Sequence, residues 1–345
     1  MLKLGLQKKI GTYSLGGGFM GRIVSIIKIF LIIAGISSIF GCSGYLSYNT
    51  DNLSQYDDVS LMMEGGGYLS SSAANDITPF LFRDKNTGNA YLFFASDRGS
   101  ATGAYSIYYA QMDSSGKFYN LNKMNSGINQ PGTTNYSPVL FQSGGNNYIT
   151  YVSYVNSTTV NVKTYGINQS FITNSSITFP TSSITDFTQI SVFTAADGTV
   201  YFIGVEGTDI NGEKNIWEYY LSTSTGFWVS TNNITLSIFL YSSAGFQTTS
   251  GSAQNLYILY DTISGSKHQL LGLVYVINGA TTNQTQFPIP SYSSSANDAD
   301  PCIDIAGGYK VYFSSDRYGN GYYNLYRYNV QTFDKQVPSS LRSGF

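Results

Sequence analysis

An apolar, tyrosine-bearing segment recurs five times along this chain at an almost constant interval. The segments are YLFFASD from Tyr91, YITYVSY from Tyr148, VYFIGVE around Tyr201, LYILYDT around Tyr257 and VYFSSDR around Tyr312. Successive tyrosines are 57, 53, 56 and 55 residues apart. A period of this length marks one supersecondary unit repeated and stacked on itself. Each segment has an apolar or alternating predecessor: TPFLF (78–82), SPVLF (137–141), QISVF (189–193), a weaker QTTSG (247–251) and DPCIDI (300–305). Between predecessor and segment stand NTGNA, SGGNN, AADGT, GSAQN and AGGYK, whose Asn, Asp and Gly suit tight hairpins. A third strand follows each time, in YSIYYAQM, TVNVKTY, NIWEYYL, HQLLGLVYV and YNLYRYNV, and a more polar fourth, as in KFYNLNKM and SITFP.

The unit is therefore a four-stranded antiparallel meander. Its strands alternate or are wholly apolar, with no convincing helical period. Sandwiches also use many short strands but need no even spacing, whereas propeller blades produce it. The expected fold is all-β, a β-propeller of five four-stranded blades within residues 58–345. VSLMM (59–63) is expected to pair with the last blade and close the ring. The alternative is a degenerate sixth blade, built from 43–74 and the C-terminal tail.

Composition narrows the function. The 345 residues include 30 Tyr and 21 Phe but only 11% charged side chains, against about 25% in ordinary domains. So many aromatics argue against disorder. A formal net charge of -2 argues against a nucleic-acid binder, and two cysteines argue against a disulfide scaffold. His268 is the only histidine, so His-based metal sites and Ser-His-Asp triads have little material. No cofactor, metal ion or nucleic-acid partner is expected.

Residues 1–41 read as a signal peptide. Arg22 and Lys28 precede the uncharged run IFLIIAGISSIF (29–40), which is short for a transmembrane helix. Met20 would start a signal of ordinary length and is the expected alternative to Met1. Ile39, Phe40, Gly41 and Cys42 resemble a bacterial lipobox, in the relaxed form seen in spirochaete lipoproteins. The resemblance implies lipid attachment at Cys42, a tether over 42–57 and a place in the cell envelope, anchored through lipid alone. Ser43 follows Cys42 where an inner-membrane signal would have Asp, so the outer membrane is expected, facing the periplasm or the surface. Cleavage removes five of the 18 basic residues and no acid, leaving 13 basic against 20 acidic side chains.

The segments DPCIDIAGGYKVYFSSDRYGNGYYNLYRYNV (300–330) and TPFLFRDKNTGNAYLFFASDRGSATGAYSIYYAQMD (78–113) resemble the TolB-type propeller repeat. A Pro-containing first strand leads to an apolar strand ending in Ser-Asp-Arg, then to a Gly-rich turn. The middle three units lack Ser-Asp-Arg. The resemblance implies a protein-binding propeller of the bacterial envelope.

Propeller geometry sends Asp76, Asp97, Arg98, Asp298, Asp300, Asp316 and Arg317 to one face, and ring closure makes units one and five neighbours. These seven residues are the candidate binding face. The competing structural role is that Asp caps the turn and Arg pairs with an acid of the next blade. Five-bladed arabinanases and xylosidases are similar in outline and carry three carboxylates at one channel mouth. Asp76, Asp298 and Asp300 sit at plausible entries, and Glu206 ends a strand on that face. Unit two has no acid at its entry (NYSP). The expectation is a non-catalytic envelope lipoprotein that binds an envelope or extracellular protein or a peptide. A glycan-binding propeller and a glycosidase-like enzyme are the alternatives.

Overall fold

Apolar runs such as YLFFA can be strands only if both faces are covered, and here neighbouring sheets supply the cover. The computed structural model describes residues 59–61, 63–64, 67–71, 73–155, 159–168, 170–171, 173–177, 187–194, 200–208, 214–221, 228–235, 242–250, 253–264, 267–277, 285–288, 296–304, 310–317, 319 and 321–329. The segment expected to be a signal peptide (1–41), the expected lipid-attachment residue Cys42 and the expected tether (42–57) lie outside the described residues.

Three short strands come first: β1 (Val59–Leu61), β2 (Met63–Glu64) and β3 (Gly67–Tyr68). Blade 1 then contains β4 (Asp76–Arg83), β5 (Ala90–Ser96), β6 (Ser106–Met112) and β7 (Phe118–Lys123). Blade 2 contains β8 (Thr133–Ser143), β9 (Asn146–Val155), β10 (Thr159–Ile167) and β11 (Thr173–Ile177). Blade 3 contains β12 (Phe187–Thr194), β13 (Val200–Thr208), β14 (Lys214–Leu221) and β15 (Trp228–Thr235). Blade 4 contains β16 (Ser242–Ser250), β17 (Ala253–Ser264), β18 (Lys267–Ile277) and β19 (Thr285–Pro288). Blade 5 has β20 (Asp298–Asp304), β21 (Lys310–Ser315) and β22 (Asn324–Asn329).

The strands numbered within each blade run as an antiparallel meander, and together the five sheets form a five-bladed β-propeller. Blade 5 takes its fourth strand from the start of the chain. β1 lies antiparallel to β22, with Val59 opposite Tyr328 and Leu61 opposite Tyr326. The expected closure is thus observed for VSL (59–61), whereas Met63 of the expected VSLMM strand belongs to β2. β2 and β3 extend the outer edge of blade 1, where Glu64 runs parallel to β7 opposite Phe118. Residues 59–68 therefore build no sixth blade. The hairpin between β8 and β9 shows the local logic. Gly144 and Gly145 both have positive φ (55° and 78°), as a two-residue primed turn requires.

The core lies between blades. Leu92 and Phe94 pack toward blade 5 with Cys302, Tyr312 and Leu325. Their strand neighbour Phe93 packs the other way, with Leu140, Ile149 and Tyr151 of blade 2. Val139, Phe141 and Val152 of blade 2 meet Ile190, Val192 and Phe202 of blade 3. Successive residues of one strand thus serve opposite seams, which explains the unbroken apolar runs. Burying each such ring stabilises the fold by roughly 1.5–3 kcal/mol.

Cys302 belongs to the seam between blades 5 and 1. Its Sγ accepts a hydrogen bond from the Leu81 amide (3.4 Å), and burial pushes its thiol up to about 12. Between its ordinary 9.0 and that value the folded thiol keeps a proton that the unfolded one loses, so its contribution to stability falls as pH rises through 9. In a Cys42→Ala chain, Cys302 is therefore expected to resist a thiol reagent at pH 8 until urea unfolds the protein. Reaction at the native-state rate of an exposed thiol would contradict this packing.

Candidate functional site

Among the described residues, five outside glycine have positive φ, and three occupy one repeat position: Thr78 (51°), Ser137 (51°) and Asp300 (53°). Each precedes a proline. Each sits in the bulge of an innermost strand, where pairing slips between Ile77 and Phe80, Tyr136 and Val139, or Ala299 and Cys302. The bulge turns the side-chain oxygen toward the next blade. Asp300 Oδ2 accepts from the Thr78 amide (3.3 Å), Thr78 Oγ1 from the Ser137 amide (3.0 Å), and Ser137 Oγ from the Ile190 amide (2.9 Å). A chain of stitches therefore links the innermost strands of blades 5, 1, 2 and 3. Asp300 also accepts from Ser314 Oγ at 3.0 Å. Blades 1 and 2 make the stitch with hydroxyls, and blade 5 makes it with a carboxylate.

The other candidate residues serve different purposes. Asp76 and Asp298 are 0% and 2% exposed. Arg98 donates to Asp76 Oδ1 (2.6 Å), and Arg317 donates to Asp298 at 2.6 and 2.7 Å. Each arginine also donates to a serine at the end of its own second strand, Ser96 or Ser315. Each guanidinium lies over two rings of its own blade, 5.2 Å from each centroid: Phe94 and Tyr108 in blade 1, Phe313 and Tyr326 in blade 5. Both pairs thus form inside one blade, not across to the next as expected. Asp97 and Asp316 accept from the amide and side chain of Asn75 and Asn297, respectively. Burial pushes the Asp76 carboxyl up, against the pull of the Arg98 guanidinium. Six of the seven candidates thus hold the loops and strand ends of their own blades, and Asp300 reaches across a seam.

The register adds two acids. Ser96, Ser153, Glu206, Asp261 and Ser315 stand at equivalent places, each opposite a residue near the start of the innermost strand: Asp76, Asn135, Phe187, Ser242 and Asp298. Blades 3 and 4 therefore put acids where the other three have serine. Glu206 was recognised in the sequence. Asp261, fully buried in β17, was not; the signal was its place in the repeat, directly after the LYILY run. Asp300 and Asp261 both bear on the Tyr323 hydroxyl, which burial first, then Asp316, Asp300, Asp261 and Asp298, push up to about 12. β17, which carries Asp261, packs against β20, which carries Asp300. Among the described residues no cluster of three or more metal-ligating side chains occurs.

No family model matches the chain, and no curated protein matches its sequence. Solved structures do share its fold. An alpha-L-arabinofuranosidase from Lactobacillus brevis superimposes with a TM-score of 0.55 at 10% identity, over 77% of this chain and 94% of that one. A GH43_1 enzyme from Xanthomonas citri, solved with xylotriose, gives 0.54 at 10% identity, over 75% and 89%. An endo-arabinase from Bacteroides thetaiotaomicron gives 0.53 at 12% identity, over 80% and 99%. The ring is built like those of glycoside hydrolases. At these identities the likeness is one of fold. It corrects the expectation of a non-catalytic, protein-binding propeller: the fold is shared with structures named as an arabinofuranosidase, an endo-arabinase and a GH43_1 enzyme holding xylotriose. The expectation failed because it weighed the small number of ionisable groups rather than where the repeat places them.

The Asp76–Arg98 and Asp298–Arg317 pairs each act as a buried plug, and removing a plug arginine leaves a carboxylate without its cation, which costs about 3–5 kcal/mol for a well-buried pair. Arg317→Ala is expected to approach that loss in urea unfolding. Arg98→Ala should lose less, because its side chain is 18% exposed against 8% for Arg317. Adding Asp298→Asn to Arg317→Ala should recover part of the stability. Unchanged midpoints in both arginine variants would sink the structural role of the pairs.

Proposed function

We propose that the chain is a glycosidase-like enzyme acting on pentose polysaccharides of the arabinan or xylan type, at the loop-rich mouth of blades 3, 4 and 5. One observation carries the reading. The stitch at the blade 5 bulge needs a single acceptor oxygen, which hydroxyls supply in blades 1 and 2, yet blade 5 uses the charged, two-oxygen side chain of Asp300. The fold likeness to enzymes named for arabinose- and xylose-containing substrates supports it.

The chemistry needs two carboxyl groups flanking a glycosidic bond. Glu206 takes the part of the acid and gives its proton to the departing oxygen as the bond to the anomeric carbon breaks. Asp300 takes the part of the base and removes a proton from the water whose oxygen forms the new bond. Asp261, one blade from each, is fully buried. Strain at Asp300 fits the role, since left-handed non-glycine residues cost about 1–3 kcal/mol and gather where geometry must be held.

We also propose that the enzyme works in the bacterial envelope as a lipoprotein anchored at Cys42. The lipobox-like IFGC and the basic, then apolar, segment before it support this.

Reducing-sugar release from arabinan and xylan, with nitrophenyl arabinofuranoside and xyloside beside them, tests the activity. Glu206→Gln is expected to lower turnover of the polysaccharide by at least about a hundredfold. It should lower turnover of the nitrophenyl substrates less, since their leaving group needs no proton. No turnover of any of the four substrates would overturn the reading.

A further inference from the structure

We propose that Tyr105 and Tyr323 form a two-ring platform that holds a sugar ring of the substrate beside Asp300. The inference rests on the glycosidase reading for its ligand class, a neutral pentose oligosaccharide.

The two tyrosines occupy one repeat position, directly before the third strand of blades 1 and 5. Register puts Val160, Lys214 and Gln269 at that place in blades 2, 3 and 4. Tyrosine therefore appears only in the two blades that flank the closure seam, where Asp300 stitches blade 5 to blade 1. Each is reached through a loop of the same layout, DRGSATGAY (97–105) and DRYGNGYY (316–323). Gly99 and Gly319 share a φ of 70° in these loops, and each loop begins with a turn closed on Asp97 or Asp316.

The main chain at both rings is fixed to the following blade. The Tyr105 carbonyl accepts from the Asn135 amide (2.9 Å), and the Tyr323 carbonyl accepts from the Asp76 amide (2.8 Å). The Tyr323 amide also donates to Asn75 Oδ1 at 3.1 Å. Anchors of this kind set a ring in place before a ligand arrives, which lowers the ordering cost of binding.

Both rings are half-buried, and among the described residues neither stands in the three inter-blade clusters given above. The Asp76 amide that holds the Tyr323 carbonyl lies two residues before the Thr78 amide that donates to Asp300. Burial first, then Asp97, Asp300 and Asp76, push the Tyr105 hydroxyl up to about 12, and Tyr323 reaches the same value beside Asp300 and Asp261. Both hydroxyls thus stay protonated donors in neutral solution. Aromatic faces for the C–H side of a sugar, with carboxylates for its hydroxyls, are the complementary halves of carbohydrate recognition.

Xylotriose and arabinotriose titrated calorimetrically into the full chain carrying Asp300→Asn test the platform, because that background binds without turnover. Adding Tyr105→Ala or Tyr323→Ala is expected to weaken binding of the preferred trisaccharide about tenfold, and the Phe variants by no more than about threefold. Tyr119→Ala on the outer strand of blade 1 should change nothing, and near-UV circular dichroism checks that each variant is folded. Folded Ala variants that bind like their parent overturn the platform while leaving the hydrolase reading intact. Tyrosine-dependent binding by a chain that hydrolyses nothing supports the platform and sinks the hydrolase reading. Binding of neither trisaccharide overturns the platform.

Discussion

Side-chain oxygens that reach across blade seams from strained backbone hold the centre of this molecule. Asp300, Thr78 and Ser137 each sit at positive φ before a proline and accept the equivalent amide of the next blade. A hydrogen bond contributes about 0.5–1.5 kcal/mol net, whereas left-handed strain costs about 1–3 kcal/mol. The stitches therefore cannot sustain themselves. They persist because apolar packing on both faces of every blade over-determines the inner strands, and in return they set the height at which blades meet. Everything at the mouth inherits its position from that arrangement. Asp300 is placed by its stitch, Tyr323 by the Asp76 amide, and the Asp–Arg plugs by the strand ends that the bulges align.

Much of this was legible in the chain, and for identifiable reasons. Tyrosine spacing translates directly into blades, because one small sheet cannot cover its own faces. The apolar VSL before the first blade was matched by an unfinished last blade. The fates of the acids were not legible. Asp76 and Asp298 share one repeat position, whereas Asp300 stands two residues on, directly before the Pro, where blades 1 and 2 have Thr78 and Ser137. The bulge at that second position sends Asp300 across the seam to Thr78, while Asp76 meets Arg98. Asp261 follows the LYILY run in the sequence, and the strand register then shows that it replaces the serine of blades 1, 2 and 5.

The low charge content also changes its meaning. Few ionisable groups argued for a binding protein when they were counted together. Their distribution argues differently: Asp76 and Asp298 neutralise the plug arginines, while Glu206, Asp261 and Asp300 fall on three consecutive blades at one end of the ring.

The most direct test separates the two duties of Asp300. Serine makes the same stitch in blade 2, so Asp300→Ser keeps an acceptor for the Thr78 amide but removes the carboxylate. Urea unfolding and polysaccharide turnover should be measured together on this one variant. A midpoint near the parent's with turnover abolished is the predicted result. Turnover retained at the parent's rate would contradict a reacting carboxylate at the blade 5 stitch.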